Sequence, residues 1–358
     1  MTETMCMGRD TARRGTAGRD TAVSDEFVRQ ADPFRRELLA HCYRMLGSVH
    51  DAEDLVQETM LRAWRSYPDF DPGRASMRTW LHRIATNACL NALEGRSRRP
   101  LPSDLSGASG LAAAPRHPEG RDLEIPWLQP FPDALLAGAA GDVGGMDAGG
   151  GADPAAVVAA RDSIRLAFVA ALQHLPARQR AVLILRDVLA WRAAEVADLL
   201  EITTAAVNSA LQRARAQLQE VAPERDQAVR PPDQRQRELA DRYAAAFVRA
   251  DVRALTRLLA DEVVLEMPPF LNWFRGRETV SAFLAGRALA APDRWRVIPV
   301  GANGQPAIGA YLRQDDGRHH AHSVQVFDVA EGGLTWIAAF QDPPLFGTFG
   351  LPLVYPAD

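Results

Sequence analysis

The sequence predicts a multidomain chain: two all-α blocks, then a small α+β domain whose curved sheet wraps around helices. Three observations carry that expectation. Residues 32–99 and 153–220 place apolar side chains at helical spacing, with cap signals ahead of them. A segment rich in Gly, Pro, Ala and Ser, 100–152, separates the two blocks. After residue 235 the pattern shifts, and four strand-like runs are punctuated by Asn303-Gly304, Asp316-Gly317 and Gly332-Gly333.

Composition narrows the classes available. A chain of 358 residues has room for two or three domains, and 47% hydrophobic content is that of a globular protein. No unbroken apolar run approaches a membrane span. Cys6, Cys42 and Cys89 are odd in number and outside any CxxC, which argues against a zinc site or a disulfide framework. A reducing, cytoplasmic setting is expected. Residues 1–25 are polar and lack an apolar h-region, so they read as a disordered arm rather than a signal peptide.

The expected first domain is 26–99. "DPFRRELLAHCYRMLG" opens with Asp-Pro, a helix-start signal with Asp32 as N-cap. "DAEDLVQETMLRAWRSY" sets Ala52, Leu55, Thr59 and Ala63 on one face. "PDFDPGRAS" is a loop, and "MRTWLHRIATNACLNALEGRSRR" is a further amphipathic helix ending in a basic cluster. The linker, 100–152, contains "LEIPWLQPFPDALL", which is too apolar for a bare spacer. It reads equally as a pad against a neighbouring domain and as an anchor for a partner.

The second helical domain is expected over 153–222, starting with the helix "DPAAVVAARDSIRLAFVAALQHL". Its last two helices lie in "WRAAEVADLLEITTAAVNSALQRARAQLQE". There Val207, Leu211, Ala214 and Leu218 form an apolar face, and Thr203 or Thr204 caps the second helix. A linker, 223–235, leads to the C-terminal domain, 236–358. That domain should begin with helices in "RELADRYAAAFVRAD" and "VRALTRLLADE".

The formal net charge is −4, and all 41 basic residues are arginine. Phosphates respond to local charge rather than the total. Between Arg74 and Arg99 six arginines face one acid, Glu94, and from Thr204 to Gln219 two arginines face none. The second helix of the 191–220 pair presents Thr204, Asn208, Ser209, Gln212 and Arg213, side chains suited to base edges and phosphates in a DNA groove. In the first domain, Phe70 on a loop lies beside a helix carrying Arg78, Arg83, Asn87 and Asn91. That set suits an unstacked base, with an aromatic face to stack on and amides to read its edge.

These segments, in this order, resemble the two conserved domains of extracytoplasmic-function sigma factors of the sigma-70 family. "DAEDLVQETMLRAW" and "TWLHRIATNACLNAL" are similar to region 2, and the helix-turn-helix is similar to region 4. The resemblance implies that Asp54, Gln57 and Glu58 dock on the β′ clamp helices of core RNA polymerase, with the β flap as a further partner surface. It implies that Phe70, Arg78, Arg83, Asn87 and Asn91 engage the −10 element. It also implies that Thr204, Asn208, Ser209, Gln212 and Arg213 read the −35 element. Glu201 stands where glycine is common, Asn208 where a basic residue is common, and the linker is longer than in minimal members.

"RYAAAFVRADVRALTRLLADEVVLEMPPFLNWFRGRETVSAFL" resembles SnoaL-like domains, a cone-shaped α+β fold, fused here to the sigma domains and implied to regulate them in cis. Met267, Trp273, Phe274, Tyr311 and His322 are the candidate pocket residues, for a small ligand. No cofactor, metal, catalytic residue or membrane partner is implied. Two alternatives are a helix-turn-helix regulator that does not bind polymerase and a SnoaL-type isomerase or cyclase with a DNA-binding appendage. The second would need a carboxylate base from among residues such as Asp261, Glu266 and Asp342. The cluster His319, His320 and His322 reads as a hairpin shoulder rather than a metal site.

Overall fold

The computed structural model describes residues 25–110, 122, 124–135, 162–221, 233–291 and 293–356. The N-terminal arm, most of the glycine-rich linker and the 223–235 linker up to 232 lie outside the described residues, as does the Asp-Pro start expected at 153.

The first domain is helical from 25 onward. A single tight turn, Asp32–Phe34, enters α1 (Arg35–Leu46). Asp32 lies inside that turn and pairs with Arg35, while Ala31 occupies the cap position, so the expected Asp cap is corrected. α2 (Val49–Ser66) is capped by Ser48, whose hydroxyl accepts from the Asp51 amide at 3.2 Å. α3 (Met77–Leu93) is capped by Ser76, which accepts from Thr79 at 3.1 Å. Between α1 and α2, Gly47 adopts φ +68°, and an added Cβ would lie 2.9 Å from Leu128 and 3.0 Å from Gln173. A side chain there would strain the backbone and push away both the linker and the second domain.

The second domain contains α4 (Leu166–Leu172), α5 (Ala177–Leu183, continued by a π-helical turn, Ile184–Val188), α6 (Ala193–Leu200) and α7 (Thr204–Val221). Arg165 is extended at φ −52°, ψ 141°, so the helix expected to run through it is broken. The break serves tertiary contacts: Arg44 donates to the Ser163 carbonyl at 3.1 Å, and Arg165 pairs with Asp328. Among the described residues no helix is long and apolar enough to cross a membrane.

The C-terminal domain places α8 (Asp233–Val248), α9 (Val252–Thr256) and α10 (Arg277–Phe283) against one face of a six-stranded sheet. Its strands are β1 (Leu259–Glu266), β2 (Trp273–Arg275), β3 (Trp295–Ala302), β4 (Gln305–Arg313), β5 (His319–Ala330) and β6 (Gly333–Phe340). The order is β2-β1-β6-β5-β4-β3, antiparallel except for the β1–β6 pair. The helix expected to reach Glu262 stops at Thr256, because Leu259 onward is drawn into β1 alongside β6.

Alternation along the strands divides the apolar side chains between two cores. Leu265, Phe327, Ile337 and Ala339 pack with α8 and α10. Val264, Val324, Val326, Trp336 and Ala338 face the other way and join one continuous core with both helical domains. The apolar linker segment lies in that core, with Leu128 and Phe131 fully buried, which decides for a pad between domains. Tyr43 of α1 meets Phe131 at a ring-centroid distance of 4.7 Å.

Candidate nucleic-acid interface

The Ser76 cap starts α3 directly after the Phe70 loop, so the loop aromatic and the helix side chains share one surface. Phe70 is half-buried, 4.8 Å from the Trp80 ring and 6.2 Å from the Tyr67 ring, which leaves part of its face to solvent. Asn87 and Asn91, one turn apart, are exposed. The two nearby arginines are already engaged. Arg78 forms a paired bond with the buried carboxylate of Glu37, and Arg83 donates to the Asp198 carbonyl at 2.8 Å and its carboxylate at 3.1 Å.

The basic stripe counted along the sequence is therefore largely neutralised by acids from elsewhere. Arg96 and Arg99 both pair with Asp51, and Arg215 on α7 pairs with Asp187. Local counting missed this because every acceptor lies at least 28 residues away in the chain.

The helix-turn-helix is built from α6 and α7. Glu201 holds the turn at φ 54°, the left-handed conformation that explains why glycine suits the position. Thr203 caps α7, accepting from Ala206 at 3.1 Å. Val207, Ala210, Leu211 and Ala214 are buried, and Thr204, Asn208, Ser209, Gln212 and Arg213 are all exposed on the remaining faces. On α2, Asp54, Gln57 and Glu58 are exposed, with Glu58 paired to Arg62. Leu61 and Trp64 share that exposed surface at 48% and 47% exposure. Sequence reading passed over both, although apolar residues at polar helical positions were the available signal.

The two helical domains touch each other. Arg83 belongs to α3 and Asp198 to α6, and the cleft beside their contact is lined by Asn87 and Asn91 on one side and Leu199, Leu200 and Glu201 on the other. Burial pushes His82 on α3 below its ordinary pKa, and its ring lies 5.8 Å from Trp191 of the second domain.

The C-terminal domain closes the assembly through the β3–β4 turn. Asn303 is fully buried at φ 57°. Its side-chain oxygen accepts from Phe131 N at 2.8 Å, and its amide donates to the Tyr43 hydroxyl at 2.9 Å and the Ile164 carbonyl at 2.7 Å. Gln305 accepts from Leu166 N at 2.9 Å, and the buried Arg165–Asp328 pair lies alongside. As a sequence, Asn303-Gly304 reads only as a turn. That its side chain joins three segments emerges only on folding.

A separate cavity of about 460 Å³ lies between the sheet, α8 and the end of α10. Of the five candidate pocket residues, Met267 and His322 line it. The other three are corrected. Trp273 and Phe274 are strand neighbours and so point to opposite faces, Trp273 donating to the Ser106 carbonyl at 2.9 Å and Phe274 stacking on Phe283 at 4.4 Å. Tyr311 faces Phe346 and Tyr355, while the adjacent Leu312 lines the cavity. His319 and His320 engage the Asp293 carbonyl and the Asp316 carboxylate, away from the cavity.

Comparison with known proteins agrees with this architecture. Family profiles match sigma-70 region 2 over residues 31–99, sigma-70 region 4 over 165–218 and a SnoaL-like domain over 240–337. The ECF RNA polymerase sigma factor SigG of Mycobacterium tuberculosis is 48% identical over 329 residues, 91% of this chain and 84% of that protein. SigJ of the same organism is 28% identical over 265 residues, 72% of each chain. The crystal structure of SigJ superposes with a TM-score of 0.57 at 24% identity, covering 89% of this chain and 97% of that one, and so shares the fold. The chain belongs to the extracytoplasmic-function RNA polymerase sigma factors, with a SnoaL-like domain at its C-terminal end.

Proposed function

We propose that this sigma factor alternates between the closed form described above and an open form that reads promoters, with the SnoaL-like domain strapping the closed form in cis. One observation carries the reading: the region 2 helix that would meet the −10 element contacts the region 4 helix-turn-helix through Arg83 and Asp198 at 2.8 Å. Elements at −10 and −35 lie roughly 25 base pairs apart, or about 85 Å of duplex at about 3.4 Å per base pair. Two readers in side-chain contact cannot occupy both, so promoter recognition requires them to separate. The Asn303 turn and the Arg165–Asp328 pair resist that separation.

In the open form Phe70 and Asn87 capture an unpaired −10 base, with Asn91 beside them. Arg83 becomes available to phosphates once it leaves Asp198, while Arg78 stays paired with Glu37 and holds the base of α3. Thr204, Asn208, Ser209, Gln212 and Arg213 read the −35 duplex. Asp54, Gln57 and Glu58, together with Leu61 and Trp64, dock on the β′ clamp helices, and region 4 meets the β flap. The factor acts in the cytoplasm with core polymerase. The SnoaL-like domain acts as a regulator of the sigma domains in cis.

Spin labels at Ser97→Cys and Ala216→Cys, exposed sites in the two sigma domains, test the opening in a Cys6→Ser background. Pulsed electron resonance should give a short distance for the free protein and one longer by tens of ångströms, on the scale of the duplex between the elements, once core polymerase and promoter are added. An unchanged distance in a transcriptionally active complex would refute the closed-to-open reading.

A further inference from the structure

The cavity of the SnoaL-like domain has a polarity that specifies an occupant. Its walls are largely apolar, with Phe247, Met267, Phe283 and Trp295 supplying broad surfaces. At 460 Å³ it falls within the range that encloses small organic ligands. The formal charges on its lining are those of Arg287 and Arg294, with no acid among the described residues that line it. Both arginines are half-buried, so they stand at the rim where the apolar interior meets solvent. Inside, Tyr243 bonds to Gln325 at 3.3 Å, and Ser323 and His322 add polar atoms to one wall.

We infer that this cavity is a receptor site for a small, mainly apolar carboxylic acid, its body among the aromatic side chains and its carboxylate held by Arg294 with Arg287 beside it. Guanidinium binds carboxylate through two parallel bonds, and partial burial strengthens the pairing. Burying the apolar body supplies the affinity, and the arginines exclude cations of the same shape. The site does not depend on the closed-to-open reading, because the cavity lies on the sheet face opposite the sigma domains.

Calorimetric titration of the full chain with decanoate and with 2-naphthoate tests this, one probe being a flexible chain and the other a flat ring. Decanol, 2-naphthol and decyltrimethylammonium serve as matched neutral and cationic controls. At least one acid should bind saturably, at least tenfold tighter than its neutral counterpart, and the ammonium should not bind. Arg294→Gln should remove the preference for acid and Arg294→Lys should retain most of it. Ala339→Phe, which fills the cavity from the sheet, should abolish binding in a protein whose circular dichroism is unchanged. Absence of binding by both acids, equal binding of the neutral compounds, or acid binding that survives Ala339→Phe would each overturn the assignment. Transcription by the same preparation reports independently on the sigma domains.

Discussion

The carboxamide of Asn303, at the tip of a C-terminal hairpin, donates to the hydroxyl of Tyr43 in α1 of region 2 at 2.9 Å. The two residues are 260 positions apart, and neither side chain is exposed. Burial pushes the Tyr43 hydroxyl well above its ordinary pKa, so it stays protonated and donates onward to the Gln129 carbonyl at 2.8 Å. Region 2, linker, region 4 and SnoaL-like domain meet at this point.

Asn303→Gly keeps the left-handed turn and deletes the side-chain bonds. Leaving the Phe131 amide and the Ile164 carbonyl buried without these partners should cost about 3 kcal/mol. Urea unfolding should show a lower midpoint, and limited proteolysis should cut the linker sooner. An unaltered midpoint would mean that the junction contributes nothing.

Arg165 and Asp328 form a buried pair with side chains 7% and 9% exposed. Arg165→Met alone strands a buried carboxylate and should destabilise the chain by about 3–5 kcal/mol. The double variant Arg165→Met/Asp328→Leu should recover most of that loss, since it removes both charges together. A double-mutant cycle by chemical denaturation measures the coupling, and additive losses would contradict it.

Phe70→Ala and Asn87→Ala should leave polymerase binding intact and lower open-complex formation at least tenfold, as read by permanganate reactivity of −10 thymines. Base stacking on an aromatic is worth about 1–3 kcal/mol, which sets that scale. Normal melting by either variant would remove that residue from the −10 assignment.

Arg213 is exposed on α7, and no acid on α7 lies within its first turn. If it contacts a phosphate, Arg213→Ala should reduce the salt slope of promoter binding by about one, while Gln212→Ala should change sequence preference instead. A salt slope unaltered by Arg213→Ala would place the arginine outside the interface.

His41 and His82 are buried in region 2 with ring centroids 5.4 Å apart. Burial, reinforced by the charges of neighbouring groups including Arg44, holds His41 well below 6.5, and burial lowers His82 as well. The folded state keeps both neutral and the unfolded state binds the protons, so their contribution is full above pH 6.5 and is lost as pH falls below it. Each contributes up to about 1.4 kcal/mol per pH unit through that window. The thermal midpoint should drop between pH 7.5 and 5, and more gently in His41→Asn. Equal slopes in the two proteins would show that His41 is not the source.

Much of the molecule was legible from one dimension. Helical spacing, the Thr203 cap and the Asn-Gly and Asp-Gly turns are local properties, and each lies within a few residues of its partner. The order of three domains, the buried face of α7 and the exposure of Thr204, Asn208, Ser209, Gln212 and Arg213 followed from them. Strand runs are visible too, but which strand side chains line the cavity depends on period-2 alternation in the folded register, which turns Trp273 toward Ser106 and Tyr311 toward Phe346 and Tyr355.

Contacts between distant segments were decided only by tertiary structure. Arg78, Arg83, Arg96 and Arg99 form a free basic stripe when read along the chain, yet each folds onto a carboxylate supplied by another element. Arg165 breaks a helix that its neighbours favour, because its charge is stabilised by Asp328 across a domain boundary. The pattern of residues determined which elements form and which faces they bury. The pairing of buried polar groups, which burial makes compulsory and which no local spacing encodes, decided that the two DNA-reading domains are held together around Asn303.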